Sequence, residues 1–296
     1  MTDRIADTGL ERLARPSGGF AMVALDQRES LRMMLAEQGV PAADADLTAF
    51  KLDAAQALGA DASGLLIDRH YGYQQLVAAQ PLPPSCGLIL AFDALQQAPG
   101  APVEDTDLDP EIGPARARDQ GAVALKLLVI WRRDARRAAR HETAARFVAA
   151  CRDAGLCSVL EGVVKPAAGE TRFDLDEAIV EAAEELGGLR PSIYKAQVPG
   201  RGEADDNHVT AVCQELTARL PVPWVVLSQG VPQALFPRAV ELACRAGASG
   251  FLAGRAVWSD TLGEPAALLR QRSVPRLRGL AATVDQHARP WWDVAR

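Results

Sequence analysis

Residues 122–131 read Ala-Val-Ala-Leu-Lys-Leu-Leu-Val-Ile-Trp, ten positions of which all but Lys126 are apolar. A run of this kind is about half the ~20 residues a membrane helix needs. Its near-continuous apolar character suits a strand covered on both faces, as in parallel sheets. Working outward, seven similar runs recur, at 20–28, 63–70, 86–93, 157–164, 192–198, 224–228 and 250–255. Amphipathic stretches rich in Ala, Glu and Arg fall at 29–38, 42–58, 143–154, 175–186, 208–220, 236–246 and 265–285. Several end in glycine, as at Gly155 and Gly247, which stops a helix by adopting the left-handed conformation. Eight strand-like runs with helical stretches between them predict an α/β protein of the (β/α)8 TIM-barrel class. An open doubly wound sheet that binds a dinucleotide would need Gly-x-Gly-x-x-Gly after its first strand, and the chain lacks it there.

The 296 residues are 48% hydrophobic and 24% charged, enough apolar material for a full core. The reading is one barrel domain over 1–296, with an N-terminal extension over about 1–16 and a C-terminal tail over about 286–296. A net charge of −6 argues against an extended nucleic-acid surface, which needs a basic excess, and points to small-molecule partners. No run is long enough to span a membrane. Residues 1–10 carry acidic and polar side chains instead of a basic start and an apolar run, so export is not expected and the predicted location is the cytoplasm. Cys86, Cys151, Cys157, Cys213 and Cys244 are scattered and odd in number, which reads as reduced, buried thiols. The four histidines lie far apart, so no metal centre is expected, and no cofactor is expected either.

Barrel active sites are assembled at the carboxyl ends of the strands. Those ends carry Asp26-Gln27-Arg28, Asp68-Arg69-His70, Asp93, Trp131-Arg132, Glu161, Lys195-Ala196-Gln197, Ser228-Gln229-Gly230 and Gly254-Arg255. Lys126 and Lys195 sit inside apolar runs, where an unpaired ammonium carries a large desolvation penalty. Either a salt bridge at the barrel mouth answers that cost, or one lysine serves as a nucleophile toward a ketone, sharpened by a neighbouring cation. Glu161, flanked by apolar residues, is a candidate for proton transfer, or else the partner of a lysine on an adjacent strand. Asp26, Gln27 and Arg28 offer a carboxylate, an amide and a guanidinium. Strand alternation lets about two of the three face one pocket. Ser228, Gly230, Gly254 and Arg255 follow strands seven and eight, where barrels commonly bind phosphate. The arginine run 132–140 reads as a solvated helix face. The Pro- and Asp-rich stretch 99–114 reads as an ordered surface loop or a lid, and Trp291-Trp292 as an anchor for the tail.

The chain resembles the class I, Schiff-base aldolases related to tagatose-1,6-bisphosphate aldolase, most closely their sulfofructosephosphate branch. The matching segments are Ser17-Gly-Gly-Phe-Ala-Met-Val-Ala-Leu-Asp-Gln-Arg28, Ala124-Leu-Lys-Leu-Leu128, Ile193-Tyr-Lys195, Leu227-Ser-Gln-Gly-Val231, Leu235-Phe-Pro-Arg-Ala239 and Gly247-Ala-Ser-Gly-Phe-Leu-Ala-Gly-Arg-Ala-Val-Trp258. The resemblance implies a (β/α)8 barrel, Lys195 as the Schiff-base lysine, Glu161 as the acid and base, and Lys126 and Asp26 as assisting groups. It further implies that Ser228, Gly230, Gly254 and Arg255 hold a C1 phosphate, with Gln27 and Arg28 also at the substrate. Two positions depart from the pattern: Gln197 stands where relatives carry Glu, and Gly162 where the sulfosugar branch carries Pro.

The resemblance implies cleavage of 6-deoxy-6-sulfofructose 1-phosphate to dihydroxyacetone phosphate and sulfolactaldehyde, the chemistry of sulfoglycolysis, by a metal-independent homo-oligomer, a dimer or tetramer. Cleavage of tagatose or fructose 1,6-bisphosphate is the alternative. A non-catalytic barrel that binds phosphosugars is a third, which the retained lysine and glutamate disfavour.

Overall fold

The computed structural model describes residues 9–40, 42–80 and 82–294. Eight strands close into a parallel barrel: β1 (Phe20–Leu25), β2 (Gly64–Ile67), β3 (Gly87–Ala91), β6 (Ala122–Trp131), β7 (Cys157–Val164), β8 (Ile193–Ala196), β9 (Trp224–Val226) and β10 (Gly250–Ala253). Around the barrel their order is β1-β10-β9-β8-β7-β6-β3-β2. Every sequence-expected strand is present. Most are shorter than their apolar run, because the polar residues at the carboxyl ends have already left the ladder.

The polar stretch after the third barrel strand is not simply a loop. Strands β4 (Asp93–Gln96) and β5 (Asp105–Leu108) pair antiparallel, Asp93 opposite Leu108 and Gln96 opposite Asp105. This hairpin is fastened to the barrel by polar contacts, which is why a sequence so poor in β-branched residues holds it. The Thr106 hydroxyl donates to the Leu128 carbonyl at 2.5 Å, and the Arg140 guanidinium pairs with Asp105 at 3.1 Å.

Two apolar layers build the core. Inside the barrel, Phe20, Met22, Ala24, Leu66, Ile89, Ala91, Ala124, Val159, Ile193, Val225 and Leu252 pack together, and Leu10, Leu13 and Trp291 join them. The backbone N–H of Trp291 donates to the Gly18 carbonyl at 3.1 Å, so the tail is docked on the barrel as expected. Between barrel and helices lies the larger cluster, with Trp224, Phe236, Phe251 and Trp258 fully buried. The arginine run departs from the solvated face expected of it. Arg140 is buried against Asp105 and Asp134, and Arg133 and Arg137 reach Glu181 of the next helix, Leu175–Gly187. Among the described residues, no helix is long and apolar enough to cross a membrane.

Candidate active site

Period-two alternation fixes which side chains face the barrel axis. Ala124, Val159 and Ile193 lie in the apolar plug, and two residues further along the same strands come Lys126, Glu161 and Lys195. Ala24 and Leu66 lie in the same plug, and two residues beyond them come Asp26 and Asp68. A charged layer therefore sits directly on an apolar one. Strand register brings Glu161 of β7 opposite Lys195 of β8.

These charges are buried and mutually paired. Lys126 Nζ lies 2.9 Å from each of Asp26 Oδ2, Asp93 Oδ2 and Glu161 Oε2. The second oxygen of Glu161, Oε1, lies 3.0 Å from Lys195 Nζ. One carboxylate thus bridges two ammonium groups, each at most 5% exposed. Burial works against a charge on Lys126, but Asp26, Asp93 and Glu161 outweigh it and hold its pKa well above the ordinary lysine value. Burial likewise opposes ionisation of Asp26, yet Lys126, Lys195 and Arg28 keep its carboxyl far below the usual range. Lys126 is accordingly a fixed cation.

Arg28 closes the cluster on one side. Its Nη2 donates to Asp93 Oδ1 at 2.6 Å and its Nη1 to the Asp93 carbonyl at 2.8 Å. Asp68 lies beyond it, ion-paired with the fully buried Lys51. β1 ends at Leu25, so the alternation that still aims Asp26 inward is lost after it, and Asp26, Gln27 and Arg28 all line the same cavity, three where about two were expected.

Across the cavity, Ser228, Gly254 and Arg255 follow β9 and β10. Arg255 has no carboxylate within ion-pair reach among the described residues, and burial lowers its pKa with only partial compensation from Glu161 and Asp26. A side chain at Gly254 would meet the Ala24 carbonyl at 2.6 Å and the Gln27 amide at 2.7 Å, so glycine is what lets the backbone approach there. Gly230 stands apart: it is exposed, left-handed at φ 77°, beside Arg201, and does not line the cavity.

The cavity offers about 120 Å³ to water-sized occupants, and Leu95, Gln97 and Val103 of the hairpin form its outer wall. Sequence reasoning placed Asp93 at a strand end without giving it a role, and did not single out those three residues or Lys51. The β4–β5 pairing had no hydrophobic signal. Lys51, though, falls between Leu47, Ala54 and Leu58 on the buried stripe of its helix, Asp44–Leu58, and a lysine at helical spacing among apolar residues is a legible sign of a buried partner. The two departures from the family pattern have local reasons. The Gln197 side-chain oxygen accepts from the Val164 N–H at 2.7 Å, joining β8 to β7. The Tyr194 hydroxyl fills the space beside Gly162, 2.2 Å from where a side-chain carbon would begin. Among the described residues, no group of three or more His, Cys, Asp or Glu is gathered to hold a metal ion.

A family model described as DeoC/LacD family aldolase matches residues 20–260, which runs from the first barrel strand past the last. The chain belongs to the DeoC/LacD aldolases. It is 25% identical over 316 aligned positions to a tagatose 1,6-diphosphate aldolase of Listeria monocytogenes serotype 4b (strain CLIP80459), covering 96% of this chain and 93% of the relative. It is 27% identical to tagatose 1,6-diphosphate aldolase 2 of Enterococcus faecalis (strain ATCC 700802 / V583), covering 85% of this chain and 82% of that one. Among solved structures, it superposes with a TM-score of 0.64 on an archaeal fructose-1,6-bisphosphate aldolase whose catalytic Lys is covalently bound to the carbinolamine intermediate of the substrate. That match has 17% identity, covers 95% of this chain and 99% of that one, and bears on the fold. This DeoC/LacD aldolase is thus a class I enzyme, a carbon–carbon lyase on a (β/α)8 barrel.

Proposed function

We propose that the enzyme cleaves a ketose 1-phosphate through a Schiff base on Lys195. The observation that carries this is the Glu161 carboxylate, 3.0 Å from Lys195 and 2.9 Å from Lys126 at the floor of the cavity. Lys126 is held charged by three carboxylates, which leaves Lys195, with one, as the amine able to attack. The Lys195 ammonium first passes a proton to the Glu161 carboxylate, 3.0 Å away, and the free amine adds to C2 of the ketose; a proton moves from nitrogen to oxygen to give the carbinolamine, which takes the proton back from Glu161, loses water and becomes the iminium. A base removes the C4 hydroxyl proton, the C3–C4 bond breaks, and its electron pair passes into the iminium to give an enamine while an aldehyde leaves. Protonation at C3 and addition of water release dihydroxyacetone phosphate and return the amine. The Asp26 carboxylate offsets the positive charge of the iminium, while the Lys126 ammonium holds Glu161 and Asp26 in place.

Arg255, with no carboxylate partner among the described residues, together with Ser228 and the close backbone at Gly254, is the anion-binding end of the cavity and takes the C1 phosphate. Gln27 orients a substrate hydroxyl. Arg28, whose charge Asp93 already answers, is poorly placed to neutralise a second phosphate dianion. A far end of lower charge agrees with 6-deoxy-6-sulfofructose 1-phosphate, whose sulfonate is a monoanion. Cleavage of tagatose 1,6-bisphosphate draws support from the relatives named above. Triose phosphate release from the two substrates compared under saturating conditions decides between them. Faster release from the sulfosugar is expected, and equal or faster release from the bisphosphate overturns that substrate.

A further inference from the structure

The paired charges do not stop at the cavity. Beginning at Lys195, alternating groups run Glu161, Lys126, Asp93, Arg28, Asp68 and Lys51, the last on the helix Asp44–Leu58 that packs outside the barrel. Lys51 and Asp68 are wholly buried and neither lines the cavity. Both oxygens of Asp68 are engaged: Oδ2 pairs with Lys51, and Oδ1 accepts from the backbone N–H groups of His70 at 2.9 Å and Tyr71 at 3.0 Å. Arg28 Nε, 4.0 Å from that same Oδ1, is a buried donor with no hydrogen-bond partner among the described residues. An orphaned donor beside an occupied carboxylate describes a guanidinium balanced between two acids, committed to Asp93 because Lys51 holds the other.

We infer that Lys51 is a positioning residue for the reaction: by occupying Asp68 it keeps Arg28 on Asp93, and so sets how Asp93 shares Lys126 with Glu161 beside Lys195. Without the Lys51 ammonium, Asp68 is a buried, undercompensated carboxylate with a free Arg28 N–H within reach. Arg28 turns to it, Asp93 is left to Lys126 alone, and the cluster around Lys195 becomes more negative. The charged groups facing Lys195 are Glu161 from β7, Lys126 from β6, Asp26 beyond β1 and, further off, Arg255 beyond β10. Those facing the Lys51–Asp68 pair are Arg28, Asp26, Tyr71 and His70. A more negative cluster favours the protonated amine, so the acid limb of Schiff-base formation moves to higher pH.

The inference rests on the proposed role of Lys195. The test follows borohydride trapping of dihydroxyacetone phosphate on the intact enzyme as a function of pH, with the adduct located by peptide mass spectrometry. Lys51→Met is expected to raise the midpoint by about one pH unit, the low end of what one nearby charge does. Adding Asp68→Asn removes the competing acid, leaves Arg28 on Asp93 and returns the midpoint to that of the wild type. Should Lys51→Met fail to fold, Lys51→Gln keeps a donor for Asp68 while removing the charge, and the same shift is expected. A wild-type midpoint in the folded single variant, or an unrestored one in the double variant, overturns the positioning role. Absence of any Lys195 adduct in the wild type overturns instead the reading on which it rests.

Discussion

At the scale of single residues, the site is a problem of buried charge. Lys126 is answered by three carboxylates, and removing it strands them. Lys126→Met is expected to lower kcat by about 100-fold or more, the size of a lost proton-transfer or charge-balancing partner. It should also destabilise the fold by about 3–5 kcal/mol, the cost of leaving buried charges unpaired; denaturant melts and steady-state kinetics check the two halves separately. Arg255 is different, because no ion pair restrains it among the described residues. Arg255→Gln should raise KM for a ketose 1-phosphate about 10- to 100-fold, with a much smaller effect on kcat. An unchanged KM would remove Arg255 from the phosphate site. Asp26 supplies a pH dependence. Burial resists its charge, but Lys126, Lys195 and Arg28 depress its folded pKa below its unfolded value, so its contribution to stability is present above about pH 4 and drains away as pH falls toward the folded value. Asp26→Asn should therefore flatten the fall of Tm on acidification below about pH 4, and an equally steep fall in the variant would contradict that linkage.

Individual elements show what the sequence could and could not reveal. The barrel strands were legible because each is a short apolar run, and the mouth was legible because Lys126, Glu161 and Lys195 interrupt such runs at inward positions. The hairpin 93–108 was not, since it is held by Arg140, Arg132 and Lys165 from elsewhere in the chain and by its own Thr106 reaching the Leu128 carbonyl. Long-range polar pairing leaves no periodicity. The arginine run was misread for the same reason: its partners Asp105, Glu181 and Glu185 come from other elements. Strand β7 gives a test at this scale. Gly162→Ala would drive a methyl group into the Tyr194 hydroxyl, and the barrel wall has little room to move. A loss of about 1–3 kcal/mol is expected from such overpacking, measured by chemical denaturation, and an unchanged midpoint would mean Tyr194 can swing clear.

For the whole molecule, the closed barrel separates stability from chemistry. Its apolar plug and the docked Trp291 stand beneath the charged layer; the family match from residue 20 to 260 takes in the barrel strands and the charged layer, while Trp291 lies beyond it. Trp291→Ala should cost about 3 kcal/mol or more of stability while leaving KM unchanged. A raised KM would instead tie the tail to the mouth. The central claim is that Lys195 forms the covalent adduct. Incubation with a ketose 1-phosphate or dihydroxyacetone phosphate, borohydride reduction and peptide mapping should find one modified residue, Lys195, and no adduct in Lys195→Met. A stable adduct on Lys126, or turnover with no trappable adduct at all, would contradict the account.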